Sequence, residues 1–190
     1  MSLTFTPISE IGLPIPDFSL PSVVDQKIYS RHWLNENRFD SVVIMFICNH
    51  CPYVKTIEDR LIQLTLDLKK HNVCVIGICA NDSSEHIEDS PAQLKKRAEE
   101  KNYPFLYLHD ESQSVAKAFG AVCTPDFFVY DKNLKLSYRG RLDDNWKDAN
   151  KVTHRELFQA VISICEQNMP PASKQTPSTG CNIKWKTENL

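Results

Sequence analysis

The chain has 190 residues, 42% of them hydrophobic, with 22 Lys+Arg against 24 Asp+Glu for a net charge of −2. This suits one compact domain with a short extension, and the absence of a basic cluster argues against a nucleic-acid groove or a membrane-surface helix. The longest apolar stretch, Val42 to Cys48, is far shorter than the ~20 residues that span a bilayer.

The opening Met1-Ser2-Leu3-Thr4-Phe5-Thr6-Pro7 carries neither a basic leader nor an apolar run of signal-peptide length. The chain therefore reads as cytoplasmic, although Met-Ser-Leu is also what an expression remnant leaves after removal of a leader. Seven cysteines, Cys48, Cys51, Cys74, Cys79, Cys123, Cys165 and Cys181, are an odd number scattered along the chain. That does not read as a secreted disulfide scaffold.

Ile15 to Tyr29 alternates apolar positions around Asp25-Gln26 and predicts a short strand pair. Ser41 to Ile47 is β-branched and apolar on both faces, as a central parallel strand should be. Thr56 to Lys70 places Ile57, Leu61, Leu64 and Leu68 on one face of an amphipathic helix. Asn72 to Ala80 is a second buried strand. Pro91 opens a charged helix to about Lys101, proline being favourable in a first turn. Phe105 to His109 reads as a strand, and Ser112 to Phe119 as a short helix closed by Gly120.

Asp126 to Tyr130 and Leu134 to Arg141 are strands joined by the turn Asp131-Lys132-Asn133. Val152 to Gln167 is the last helix, with Leu157, Val161, Ile164 and Cys165 on one face. The fold class is thus α/β, a mixed central sheet flanked by helices. Residues 1–168 form the domain, and 169–190 form a surface-running tail with Ile183 and Trp185 as its docking residues.

Between the first central strand and its helix lies Cys48-Asn49-His50-Cys51. A nucleophilic thiol must be ionised, and a free cysteine with a pKa of ~8.5 is mostly protonated at neutral pH. At a strand-to-helix junction, unpaired N–H groups and the positive helix end favour the thiolate. Cys48 sits at that junction, with Cys51 almost one helical turn on, close enough to form or resolve a disulfide. His50 adds a charge or a hydrogen bond. The expected roles are attack by Cys48 and resolution by Cys51. The CxxC spacing alone is moderate support in a cysteine-rich chain. Two structural cysteines or a zinc half-site compete, but no second CxxC or HxxxH is present to complete four zinc ligands.

The stretches IPDFSLPSVVD, SVVIMFI followed by CNHCPYVK, VCTPDFFVYD, LSYRGRLDD and PSTGCNIKWK resemble the thioredoxin-like redoxin superfamily over residues 13 to 186. The pairing of CNHCP with GCNIKWK is similar to a bacterial thioredoxin-family group with an alkyl-hydroperoxide-reductase/thiol-specific-antioxidant-type domain. The resemblance implies a thiol–disulfide oxidoreductase with no cofactor and no metal. It would exchange disulfides with protein or small substrates, using a thiol electron donor that the sequence does not identify.

Cys48 then matches an exposed attacking thiol and Cys51 a buried resolving one. Thr124-Pro125 matches a cis dipeptide facing the dithiol, with the Thr124 backbone free to pair with a substrate strand. A histidine before the second cysteine implies a more oxidising centre than that of thioredoxin. The strand before the dithiol lacks thioredoxin's buried acid, so proton handling would fall to His50, Lys55 or Glu58.

Cys123 and Cys181 are candidate auxiliary thiols, with a packed wall residue and a tail cysteine without a role as the plainer readings. Cys74, Cys79 and Cys165 read as core. The remaining histidines read as surface or capping residues, and Arg139, Arg141, Asp143 and Asp144 as a solvated hairpin edge. Two other functions compete. A peroxiredoxin-type peroxidase would need a threonine three residues before its cysteine, where Met45 stands before Cys48. A non-catalytic binding or metal-delivery module would work without the cysteine pair.

Overall fold

The computed structural model describes residues 3–7, 10–167 and 175–189. The expected boundary at 168/169 lies outside them. The core is a five-stranded sheet of β4 (Ser41–Phe46), β5 (Val73–Cys79), β6 (Leu106–His109), β8 (Asp126–Asp131) and β9 (Leu136–Gly140). Their order is β6-β5-β4-β8-β9. β4 runs parallel to β5, and β5 to β6, whereas β8 is antiparallel to both β4 and β9. The mixed central sheet is therefore present.

Every residue of β4 is buried, because the strand is covered on both faces and side chains alternate between them. Val43, Met45 and Ile47 meet α2 (Pro52–Leu68), through Ile57, Leu61 and Leu64, and α5 (Glu156–Gln167), through Leu157, Val161 and Ile164. Val42, Ile44 and Phe46 face α1 (Arg31–Asn37), through Leu34, and α4 (Ser114–Phe119), through Val115 and Phe119. α3 (Pro91–Glu100) joins the first layer through Leu94. The expected strand pair is β2 (Ser19–Pro21) and β3 (Ile28–Ser30).

Gly120 ends α4 at φ +64, the left-handed cap that glycine adopts without penalty. In the β8–β9 turn, Asp131 Oδ1 accepts the N–H groups of Asn133 and Lys135.

Several expectations need correction. α1 is absent from the elements expected of the sequence, although Ser30 caps it by accepting the Trp33 N–H. α5 starts at Glu156 rather than Val152, because a 3-10 turn, Ala149–Lys151, precedes it. Arg139 is not on a solvated edge: it is 6% exposed and pairs with the fully buried Asp126 at 2.7 Å. Asp143 is likewise buried and meets Arg60 at 2.5 Å.

The largest difference concerns the tail. Residues Thr179–Asn182 form β10, which lies between β1 (Leu3–Phe5) and β7 (Cys123–Thr124) in an antiparallel sheet. The stretch has no apolar alternation, so its strand character comes from its two neighbours. Ile183 is 1% exposed, and Trp185 packs on the second core layer.

Candidate active site

The segment Cys48–Cys51 is a loop, and the helix begins after it. Ile47 still donates to Ile78 across the sheet, but α2 starts at Pro52 with Cys51 as its N-cap residue. The cause is Asp89, at the end of a 3-10 turn, Ile87–Asp89. Its Oδ1 accepts the backbone N–H groups of Asn49 (2.7 Å) and His50 (3.1 Å). The Asn49 side chain adds bonds to the carbonyls of Glu88 and Gln93. Donors that would otherwise be orphaned are thus satisfied outside a helix. The expected placement, Cys48 at the helix start and Cys51 a turn later, is corrected by one turn.

Asp89 is also the buried acid that β4 lacks. It is 0% exposed. Its Oδ2 accepts from His50 Nδ1 at 2.5 Å and from Asn81 Nδ2 at 2.9 Å. Burial works against its charge, but the bonds from His50 and Asn81 prevail and hold the carboxyl below its usual range. His50 stacks on His86 with ring centroids 4.1 Å apart, so His86 is not isolated. The sequence offered little to single out Asp89 among the neighbouring Asp82, Glu85 and Glu88. Glu58, in contrast, is tied to Arg97 and Tyr103, and Lys55 is exposed.

The two thiols share one buried cluster and differ electrostatically. Burial, then the neighbouring Cys51 thiol and the charge of Asp89, push Cys48 well above the ordinary thiol value. Cys51 moves the other way, to about 5. The neighbouring Cys48 thiol favours its charged form, outweighing burial, and the Thr124 hydroxyl, the Val54 N–H and Cys181 assist. The Cys51 side chain makes no cap hydrogen bond, so the Val54 N–H acts as part of the positive helix end. The expected exposure of Cys48 is not found: Cys48 is 2% and Cys51 0% exposed.

Thr124-Pro125 is cis and faces the dithiol. Thr124 Oγ1 is 3.3 Å from Cys48 Sγ, and as a thiol Cys51 donates to the Thr124 carbonyl at 3.2 Å. The Thr124 backbone is not free, however, because Cys181 of β10 is its strand partner. Cys181 is buried rather than exposed on a tail, in the same core cluster as Cys48 and Cys51. Cys123 is fully buried, with burial raising its pKa and its Sγ 3.8 Å from the Pro125 carbonyl. Beside Pro125 opens a cavity of ≈ 260 Å³ walled by Ile57, Phe127, Trp146 and Ser178.

Among the described residues, Cys48, His50 and Asp89 form the one trio with metal-ligand spacing, their ligand atoms lying within 4.8 Å of one another. His50 Nδ1 and Asp89 Oδ2 stand 2.5 Å apart as a direct hydrogen bond. Two ligands of a tetrahedral zinc at ~2.1 Å stand roughly 3.4 Å apart.

Similar structures come from several bacteria. An uncharacterized conserved protein from Geobacillus kaustophilus is 41% identical over 98% of both chains, with a TM-score of 0.90. A hypothetical protein from Sinorhizobium meliloti 1021 is 32% identical over 97% of this chain and 99% of that one, with a TM-score of 0.89. The thioredoxin domain of a thiol-disulfide oxidoreductase from Bacteroides vulgatus is 14% identical over 84% of this chain and all of that one. Its TM-score of 0.62 identifies the fold as thioredoxin-like. No curated protein matches the chain. Residues 11–139 match the AhpC/TSA family, and the chain belongs to that family.

Proposed function

We propose that the protein is a thiol–disulfide oxidoreductase working through Cys48 and Cys51. The observation that carries this reading is the placement of both sulfurs on the cis Thr124-Pro125 turn, Cys48 Sγ 3.3 Å from Thr124 Oγ1 and Cys51 Sγ 3.2 Å from the Thr124 carbonyl, in a loop held by Asp89. One sulfur of the pair attacks a substrate disulfide as its thiolate, giving a mixed disulfide and a substrate thiolate. The other then attacks the bonded protein sulfur and displaces the second substrate thiolate, which takes up the proton of the attacking thiol. A thiol donor regenerates the dithiol.

Reduction of an insulin-type disulfide with dithiothreitol as donor tests the reading. Acceleration by the wild type, lost in both Cys48→Ser and Cys51→Ser, is the expected result. A mixed disulfide that accumulates on Cys48 in a Cys51→Ser/Cys181→Ser protein gives the order implied by the resemblance, and one that accumulates on Cys51 in a Cys48→Ser/Cys181→Ser protein gives the opposite order.

Membership of the AhpC/TSA family favours peroxidase as the second reading. Consumption of hydroperoxide by the same sample, without disulfide reduction, would establish it in place of the first.

A further inference from the structure

The edge of the strand preceding the cis-proline is occupied by the protein's own C-terminal segment, and that segment brings a third sulfur to the dithiol. β10 pairs with β7 in the register Cys181↔Thr124 and Asn182↔Cys123. Gly180 makes this approach possible. A Cβ built on it would lie 2.0 Å from the Thr124 carbonyl oxygen and 3.0 Å from the Pro125 nitrogen, so any other residue would drive β10 away from the turn.

The segment is anchored on both sides of Cys181. Ser178 Oγ donates to the Gly140 carbonyl at 2.7 Å, and Ile183 N donates to the Val122 carbonyl at 3.0 Å. Gln113 receives the Lys186 N–H and donates to the Lys184 carbonyl. Asn81 accepts the Lys184 N–H while donating to Asp89, so one side chain ties the segment to the carboxylate that holds the dithiol loop. Cys181 is therefore a placed thiol, 1% exposed, in the same core cluster as Cys48 and Cys51, and paired with the residue whose carbonyl lies 3.2 Å from Cys51 Sγ.

We propose that Cys181 is a third redox thiol and that Cys51 shares its disulfide between Cys48 and Cys181. This rests on the exchange reading above. In the oxidised protein the Cys181 sulfur, losing its proton, attacks the Cys51 sulfur of the Cys48–Cys51 disulfide. The Cys51–Cys181 bond forms, the Cys48–Cys51 bond breaks, and Cys48 leaves as a thiolate that takes up the proton. No electrons enter or leave the protein. The Cys51–Cys181 form covalently pins β10 to the N-terminus of α2 and closes the edge. The Cys48–Cys51 form leaves β10 held by hydrogen bonds alone.

The test is a peptide map of Cys48→Ser oxidised with diamide, the two-electron acceptor, digested with trypsin without reduction. Support is a linked pair of peptides, Phe39–Lys55 with Gln175–Lys184, whose yield does not change on diluting the protein. Free Cys51 and Cys181, or a link only between chains, overturns the proposal. Wild type oxidised in parallel separates the two readings. A Cys48–Cys51 disulfide there, with none between 51 and 181 in the variant, removes the role of Cys181 and leaves the exchange reading standing. Absence of both the Cys48–Cys51 and the Cys51–Cys181 disulfide from wild type removes the exchange reading. Adding Gly180→Ala to Cys48→Ser should abolish the linked pair without altering any cysteine, and persistence of the pair would overturn the placement argument.

Discussion

Replacing Asp89 by Asn removes one charge from the centre of the site and keeps the shape. The Cys48 sulfur and an Asp89 oxygen lie within 4.8 Å. Two unit negative charges at that separation repel by about 3.5 kcal/mol at an effective dielectric constant of about 20, equivalent to roughly 2.5 pK units. The side-chain oxygen of the introduced asparagine can still accept the Asn49 and His50 backbone N–H groups. Its NH₂ would face His50 Nδ1 and Asn81 Nδ2, which now bond Asp89, so two good contacts become donor–donor encounters.

In a Cys51→Ser/Cys181→Ser background, Cys48 is the remaining thiol of the loop. Its carbamidomethylation rate by iodoacetamide, followed against pH on the Phe39–Lys55 peptide, reports its titration. Asp89→Asn is expected to lower the midpoint by about 2 units. Loss of the two charge-assisted bonds should also cost about 2–4 kcal/mol in guanidinium unfolding. A midpoint unchanged within about half a unit, in a variant that still folds cooperatively, would refute the account of why Cys48 stays protonated.

Other expectations concern pH and packing. The Cys51 thiol is held down, to about 5, so the stability it contributes is present above the unfolded value near 9 and lost as pH falls toward 5. The unfolding midpoint of the reduced protein should rise with pH across that window more steeply than that of the Cys48–Cys51 oxidised form, and parallel curves would contradict it. Arg139→Met strands the buried Asp126 carboxylate and should cost about 3–5 kcal/mol at neutral pH. Burial already raises Asp126 to about 6, so the loss should be smaller at pH 5, where the acid is protonated; denaturation at the two pH values checks this. Phe46 is 0% exposed and meets the rings of Phe119 and Phe128 at 5.5 and 5.9 Å. Phe46→Ala should therefore cost about 3–5 kcal/mol in urea unfolding without moving the thiol titration.

Local patterns decided much of this protein. The two-faced apolar run of β4, the helical spacing of Ile57, Leu61 and Leu64, the turn at Asp131 and the cap at Gly120 all follow from side chains within a few residues of one another. The Cys48–Cys51 spacing was likewise legible, since three residues suffice to bring two sulfurs together. Three features came only from tertiary structure. Asp89, in a polar stretch without periodicity, reaches the dithiol loop because the turn after β5 folds over the end of β4. That contact holds the loop non-helical and shifts the helix start to Pro52. Cys181 meets Cys51 because β10 finds pairing partners on both sides, across sequence separations that no short pattern encodes. The surroundings of each thiol follow in turn from these contacts, and a pKa is set by what surrounds a sulfur in space. The sequence alone specified a dithiol between a strand and a helix; the fold decided its acid and its third sulfur.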